Sequence, residues 1–66
     1  MSPIQFQKQI RMLRARQLLI AGAPTTSDVA YQVGYESPPQ FNRDYSRFFG
    51  ASPMGDAQQV RKLLRA

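Results

Sequence analysis

The sequence predicts an all-α fold, a small bundle of about four helices, from three observations. Serine followed by proline occurs three times, at Ser2-Pro3, Ser37-Pro38 and Ser52-Pro53, each time opening a stretch with helical spacing. Glycine stands where the helical patterns stop, at Gly22, Gly34 and Gly50. No segment alternates apolar and polar residues as a half-buried strand does. With 66 residues the chain reads as one domain, residues 1–66. A domain of that size buries only about 60% of the surface it exposes when unfolded, so its stability margin is thin.

The first helix is expected over residues 3–21. Ser2 serves as its N-cap, and Pro3 at the first helical position has no N–H to leave unpaired. Phe6, Ile10 and Leu13 fall on one stripe at i, i+4, i+7, whereas Met12, Ala15 and Leu19 fall on nearly the opposite side. Three short helices can cover one of these stripes, which leaves the other without a partner in the chain. The simpler alternative is that Phe6 and Ile10 belong to a fraying N-terminal end. Lys8, Arg11, Arg14 and Arg16 line the sides and read, on their own, as a solvated face.

A second helix, 27–33, starts at Thr25-Thr26-Ser27-Asp28, a loose capping-box pattern after Pro24. The third, 38–49, carries Phe41, Tyr45 and Phe48 at i, i+4, i+7, three rings for the core rather than a stacking platform. The fourth, 53–64, places Met54, Ala57, Val60 and Leu64 at roughly helical spacing to close the core from below. Arg61, Lys62 and Arg65 make its end basic, which the helix C-terminus favours electrostatically without any ligand.

The chain has neither Cys nor His, which removes disulfides, cysteine nucleophiles, imidazole acid–base chemistry and the usual ligands of structural zinc. Its four carboxylates, Asp28, Glu36, Asp44 and Asp56, are scattered and outnumbered by nine Lys and Arg. The expectation is a protein that is not an enzyme and holds no metal or cofactor. A net charge of +5 on a chain that is 42% apolar describes a folded basic domain, not a disordered basic tail. Its partner is then an anion: nucleic acid, an acidic membrane surface or an acidic protein, which composition alone does not rank. The run Leu18-Leu19-Ile20-Ala21 is far shorter than the roughly 20 residues that span a bilayer. Residues 1–5 carry neither a secretory nor a transit pattern, so the expected location is the cytoplasm.

Residues 27–49 have a helix-turn-helix grammar. Val29, Ala30 and Val33 face inward, Gly34-Tyr35 makes the turn, and a new helix begins at Ser37. Ala30 lets the next helix cross closely, and Gly34 supplies the backbone freedom for a sharp turn. Opposite the aromatic face of the third helix fall Pro39, Gln40, Asn42, Arg43, Ser46 and Arg47. Asn and Arg match the donor and acceptor pattern of adenine and guanine edges in the major groove, and Arg also meets phosphate. Two bland alternatives stand beside this. Gln40 fits a capping box with the N–H of Ser37, and Arg43 and Arg47 fit a solubilising face partly paired with Asp44 or Glu36.

The run from Val29 to Pro53, VAYQVGYESPPQFNRDYSRFFGASP, resembles the second helix-turn-helix of the AraC/XylS family of bacterial transcription regulators. Upstream, Ser2-Pro3 with Phe6, Arg11, Ala15, Leu18 and Leu19 is similar to the start of that family's linker helix, so the resemblance covers almost the whole chain. It implies a homeodomain-like unit of a linker-type helix (3–21), a helix-turn-helix (27–49) and a closing helix (53–64). It also implies sequence-specific binding of double-stranded DNA by the helix from Pro38, with Asn42 and Arg43 foremost among Pro38, Pro39, Gln40, Asn42, Arg43, Ser46 and Arg47. Two positions depart from the family's pattern: Ser46 stands where a basic residue is frequent, and Pro39 where a small polar one is. The family's unit holds two such subdomains, and this chain matches the distal one. The stripe of Phe6, Ile10 and Leu13 is then expected to face the other subdomain, or a second copy of the chain. Two rival readings are a module that docks on RNA polymerase or a partner subunit through the same exposed face, and an incomplete piece of a longer regulator.

Overall fold

The structure, a computed structural model, describes residues 2–65, with side chains through residue 64. It contains four helices, α1 (Pro3–Ile20), α2 (Thr26–Gln32), α3 (Pro38–Phe49) and α4 (Pro53–Arg65), and no strand among the described residues. The fold is the small all-α bundle the sequence predicts. Its starts follow side-chain capping. Ser2 accepts from the N–H of Gln5, Ser37 from that of Gln40 and Ser52 from that of Gly55, each with proline directly after the cap. Thr25 caps α2 by accepting from Asp28 at 3.1 Å, so that helix begins one residue earlier than expected.

The ends of α1 and α2 share one device. The N–H of Ala23 donates to Leu18 C=O and that of Gly22 to Leu19; likewise Tyr35 donates to Ala30 and Gly34 to Tyr31. These paired bonds are the Schellman closure, which requires a left-handed residue, and Gly34 adopts it at φ 98°. The chain therefore leaves α2 in a fixed direction and reaches Pro38 within five residues.

Helix α1 packs on α2 and α4, and α3 packs on the same two. Met12, Ala15 and Leu19 enter the core from α1, Val29, Ala30 and Val33 from α2 and its C-cap, Phe41 and Tyr45 from α3, and Ala57 from α4. Two expectations fail here. Phe48 is 45% exposed, and Phe49 takes the expected third place, half-buried with its ring 4.5 Å from that of Tyr45. The buried face of α3 runs i, i+4, i+8 through Phe41, Tyr45 and Phe49. At 3.6 residues per turn Phe48 and Phe49 lie about 60° and about 40° to either side of Tyr45, so period alone nearly ties them. Phe49 is the one that packs on Tyr45 and under the Arg16 guanidinium. On α4, Met54 and Leu64 are exposed and Val60 is half-buried, while Pro53, Asp56 and Ala57 are the buried residues. The helix crosses the core by its first turn and then runs beyond it.

The second stripe of α1 is left open: Phe6, Ile10 and Leu13 are 56%, 49% and 45% exposed. Replacing Phe6 and Ile10 together by serine is expected to change unfolding free energy by no more than about 0.5 kcal/mol, as at other exposed positions. The parent is expected to sediment in a concentration-dependent way through this stripe, and the same pair of substitutions should remove that dependence. Loss of the folded state in the double variant would place the stripe in the domain's own core.

Candidate nucleic-acid interface

Helix α3 is presented by its neighbours at three points. Its inner face is held by Phe41 and Tyr45, which the core encloses completely. Its N-terminus is set by the turn after Gly34, and the edge of the Tyr35 ring packs on Phe41 at a centroid distance of 5.5 Å. Its C-terminal half is held by Phe49, over which the Arg16 guanidinium sits at 4.6 Å.

The outward arc carries the residues read from the sequence. Pro39, Gln40, Asn42, Arg43, Ser46 and Arg47 are exposed, and Pro38 is half-buried at the first turn. They form one surface along α3, with the basic side chains toward its middle and C-terminal half. The alternative pairing of Arg43 or Arg47 with Asp44 or Glu36 is not what the structure has. Asp44 turns inward and accepts from the Tyr35 hydroxyl at 2.7 Å and from Gln40 Nε2 at 3.0 Å, with Lys8 Nζ at 3.9 Å. Burial, and then the hydrogen bond to Asp44, push the Tyr35 phenol up to about 12, so it stays a donor at neutral pH. Gln40 departs from the capping box: its backbone N–H goes to Ser37, but its side chain goes to Asp44. The i, i+4 spacing on α3 makes that partner reachable, and a carboxylate is a strong acceptor for the amide's own N–H.

Sequence reasoning missed the contribution of α1 to this region. The Arg11 guanidinium lies against Gly34, its carbon 3.7 Å from where a Cβ would stand, and Lys8 lines a cleft with Tyr35, Asp44, Arg47 and Phe48. Lys8 sits one helical turn before Met12, on the line of the buried stripe, and that spacing is the signal that could have placed it here.

Two further basic residues have structural work instead. Arg16, read as part of a solvated face, makes a two-pronged ion pair with the buried Asp56, Nε to Oδ2 at 2.9 Å and Nη2 to Oδ1 at 3.0 Å. The Tyr45 hydroxyl donates to the same carboxylate, and burial followed by that bond raises its pKa. Arg61 donates to the carbonyls of Leu19 and Ile20, so it caps the end of α1 rather than serving its own helix. Lys62 is exposed, and the side chain of Arg65 lies outside the described residues. Among the described residues no group of His, Cys, Asp or Glu could hold a metal ion, and no helix is long and apolar enough to cross a membrane.

A family model described as a helix-turn-helix domain matches residues 1–59. The chain is similar to the HTH-type transcriptional regulator ArgR of Pseudomonas aeruginosa, 34% identical over 59 residues, which cover 89% of this chain and 18% of that protein. It is likewise similar to the HTH-type transcriptional regulator GbdR of Pseudomonas aeruginosa, 35% identical over 57 residues, 86% of this chain and 16% of that protein. A third relative is histidine kinase P4 of Formosa agariphila, 36% identical over 52 residues, 79% of this chain and 4% of that protein. The chain thus spans less than a fifth of the length of each of these relatives. No solved structure matches it. With the matched residues spanning all of α1, α2 and α3, this chain belongs to the AraC-type family of helix-turn-helix domains, the DNA-binding units of bacterial transcription regulators.

Proposed function

We propose that this chain is the distal helix-turn-helix subdomain of an AraC-type regulator, acts in the bacterial cytoplasm, and binds double-stranded DNA without catalysing a reaction. The N-terminal part of α3 enters the major groove, where Asn42 and Arg43 meet base edges. Arg47 and Ser46 reach the phosphates beside it, and Pro38, Pro39 and Gln40 lie at the groove's entry. One observation carries this reading. Asn42, Arg43 and Arg47 share the exposed arc of α3, and among the described residues none of their side chains is engaged in a hydrogen bond or ion pair within the protein. Of the three aromatic residues read along α3, Phe41 and Tyr45 are turned into the core and Phe48 is left exposed, so they do not line up as a stacking platform. That supports a groove-reading helix over a single-strand binder.

A single module with few contacts depends mostly on phosphate charge. Fluorescence anisotropy with random duplex DNA is therefore expected to show weak binding that drops about ten-fold or more between 50 and 200 mM salt. Tight, salt-insensitive binding would contradict the reading, and no binding even at low salt would favour docking on RNA polymerase or a partner subunit through the same face.

A further inference from the structure

We propose that Asp44 is a positioning residue that sets which bases Gln40 accepts, an inference that rests on α3 lying in the major groove. Gln40 is exposed on the first turn of α3, and its amide nitrogen donates to Asp44 Oδ1 at 3.0 Å. Chemistry fixes the sense of that bond. A carboxylate only accepts, so the amide cannot turn its oxygen toward Asp44 without placing two acceptors face to face. The carboxylate is itself immobilised from two other elements. The Tyr35 hydroxyl of the turn donates to Oδ2 at 2.7 Å, and Lys8 of α1 stands 3.9 Å from the same oxygen. The Asp44 side chain is only 13% exposed. Tyr35, with its raised pKa, remains a donor across the range in which DNA is intact.

The consequence is an amide with one face already chosen. Its nitrogen is committed to Asp44, and its oxygen is left as the group offered outward. An outward acceptor selects an exocyclic amino group in the major groove, adenine N6 or cytosine N4, over the keto oxygens of guanine and thymine. Adenine also offers N7 to the second amide hydrogen, whereas cytosine uses the oxygen alone. Without Asp44 the amide is free to rotate by half a turn and present its donors, and the distinction between amino and keto bases disappears.

The test is selection from a randomised duplex library at low salt, with the full chain, Gln40→Ala, Asp44→Asn and Asp44→Ala, each checked for a parent-like circular dichroism spectrum. The parent is expected to prefer adenine or cytosine at one position by about five-fold or more, and Gln40→Ala to lose that preference. Asp44→Asn, whose amide can accept or donate, is expected to flatten the same position while binding random DNA more tightly because one negative charge is gone. Asp44→Ala should flatten it too. A parent that binds DNA but shows no preference that Gln40→Ala removes would overturn the proposal, as would an Asp44→Asn variant that keeps the parent's preference. A parent that does not bind random duplex at low salt would overturn the groove-reading assignment itself, which the anisotropy measurement detects separately.

Discussion

Tyr45→Ala is expected to unfold the domain at room temperature. The ring is fully buried at the centre of α3's inner face, between Phe41 and Phe49, with centroid distances of 5.7 and 4.5 Å. Removing a buried aromatic typically costs about 3–5 kcal/mol. A single core below about 70 residues rarely supplies more than that range in total. The hydroxyl adds a second loss, because Asp56 is left with one donor fewer in a buried place. Tyr45→Phe separates the two terms: it keeps the ring, removes the hydroxyl and should cost about 1–2 kcal/mol. Urea unfolding followed by circular dichroism measures both. A folded Tyr45→Ala protein with near-parent stability would mean that α3 is held from elsewhere.

Asp56→Ala is the second large effect, about 3 kcal/mol of lost stability by the same measurement. Asp56 is 5% exposed, and its carboxylate joins three helices: Arg16 from α1, Tyr45 from α3 and its own α4. Deleting it strands the Tyr45 hydroxyl in the core and frees the Arg16 head group, which is partly exposed and can turn to water. That partial escape keeps the cost at the lower end of the range for broken buried pairs. Because α3 leans on this carboxylate, the variant should also lose DNA binding in proportion to the unfolded fraction. A stability change below about 0.5 kcal/mol would show that the three-helix junction contributes no more than an exposed pair.

Much of the architecture was written in short-range chemistry. Ser-Pro and Thr25 fix helix starts through local hydrogen bonds, and Gly22 and Gly34 fix helix ends through backbone conformation. Such signals need no knowledge of the tertiary fold. The exposed arc of α3 was legible for the same reason, since helical period alone separates Phe41 and Tyr45 from Asn42 and Arg43. What was not legible depends on residues about 40 apart. Arg16 meets Asp56 and Arg61 meets the carbonyls of Leu19 and Ile20 only because α1 and α4 pack together. Phe48 and Phe49 are a near tie by period, and the choice between them is made by Arg16 stacking on the latter. Likewise Gln40 and Asp44 form a local i, i+4 pair, yet the inward turn of Asp44 comes from Tyr35 and from Lys8 on another helix.

The central claim is that the outward face of α3 binds DNA while its inward face holds the fold, and Arg43→Ala tests it most directly. Arg43 is exposed, so the substitution should leave the circular dichroism spectrum and the urea midpoint unchanged. Affinity for duplex DNA, measured by anisotropy in the same buffer, is expected to fall by about 1–3 kcal/mol if the contact is to a base. If the contact is to phosphate, the loss should be smaller, uniform across sequences and accompanied by a shallower salt slope. An Arg43→Ala protein that folds like the parent and binds DNA with the parent's affinity and salt dependence would contradict the assignment of α3 as the recognition helix.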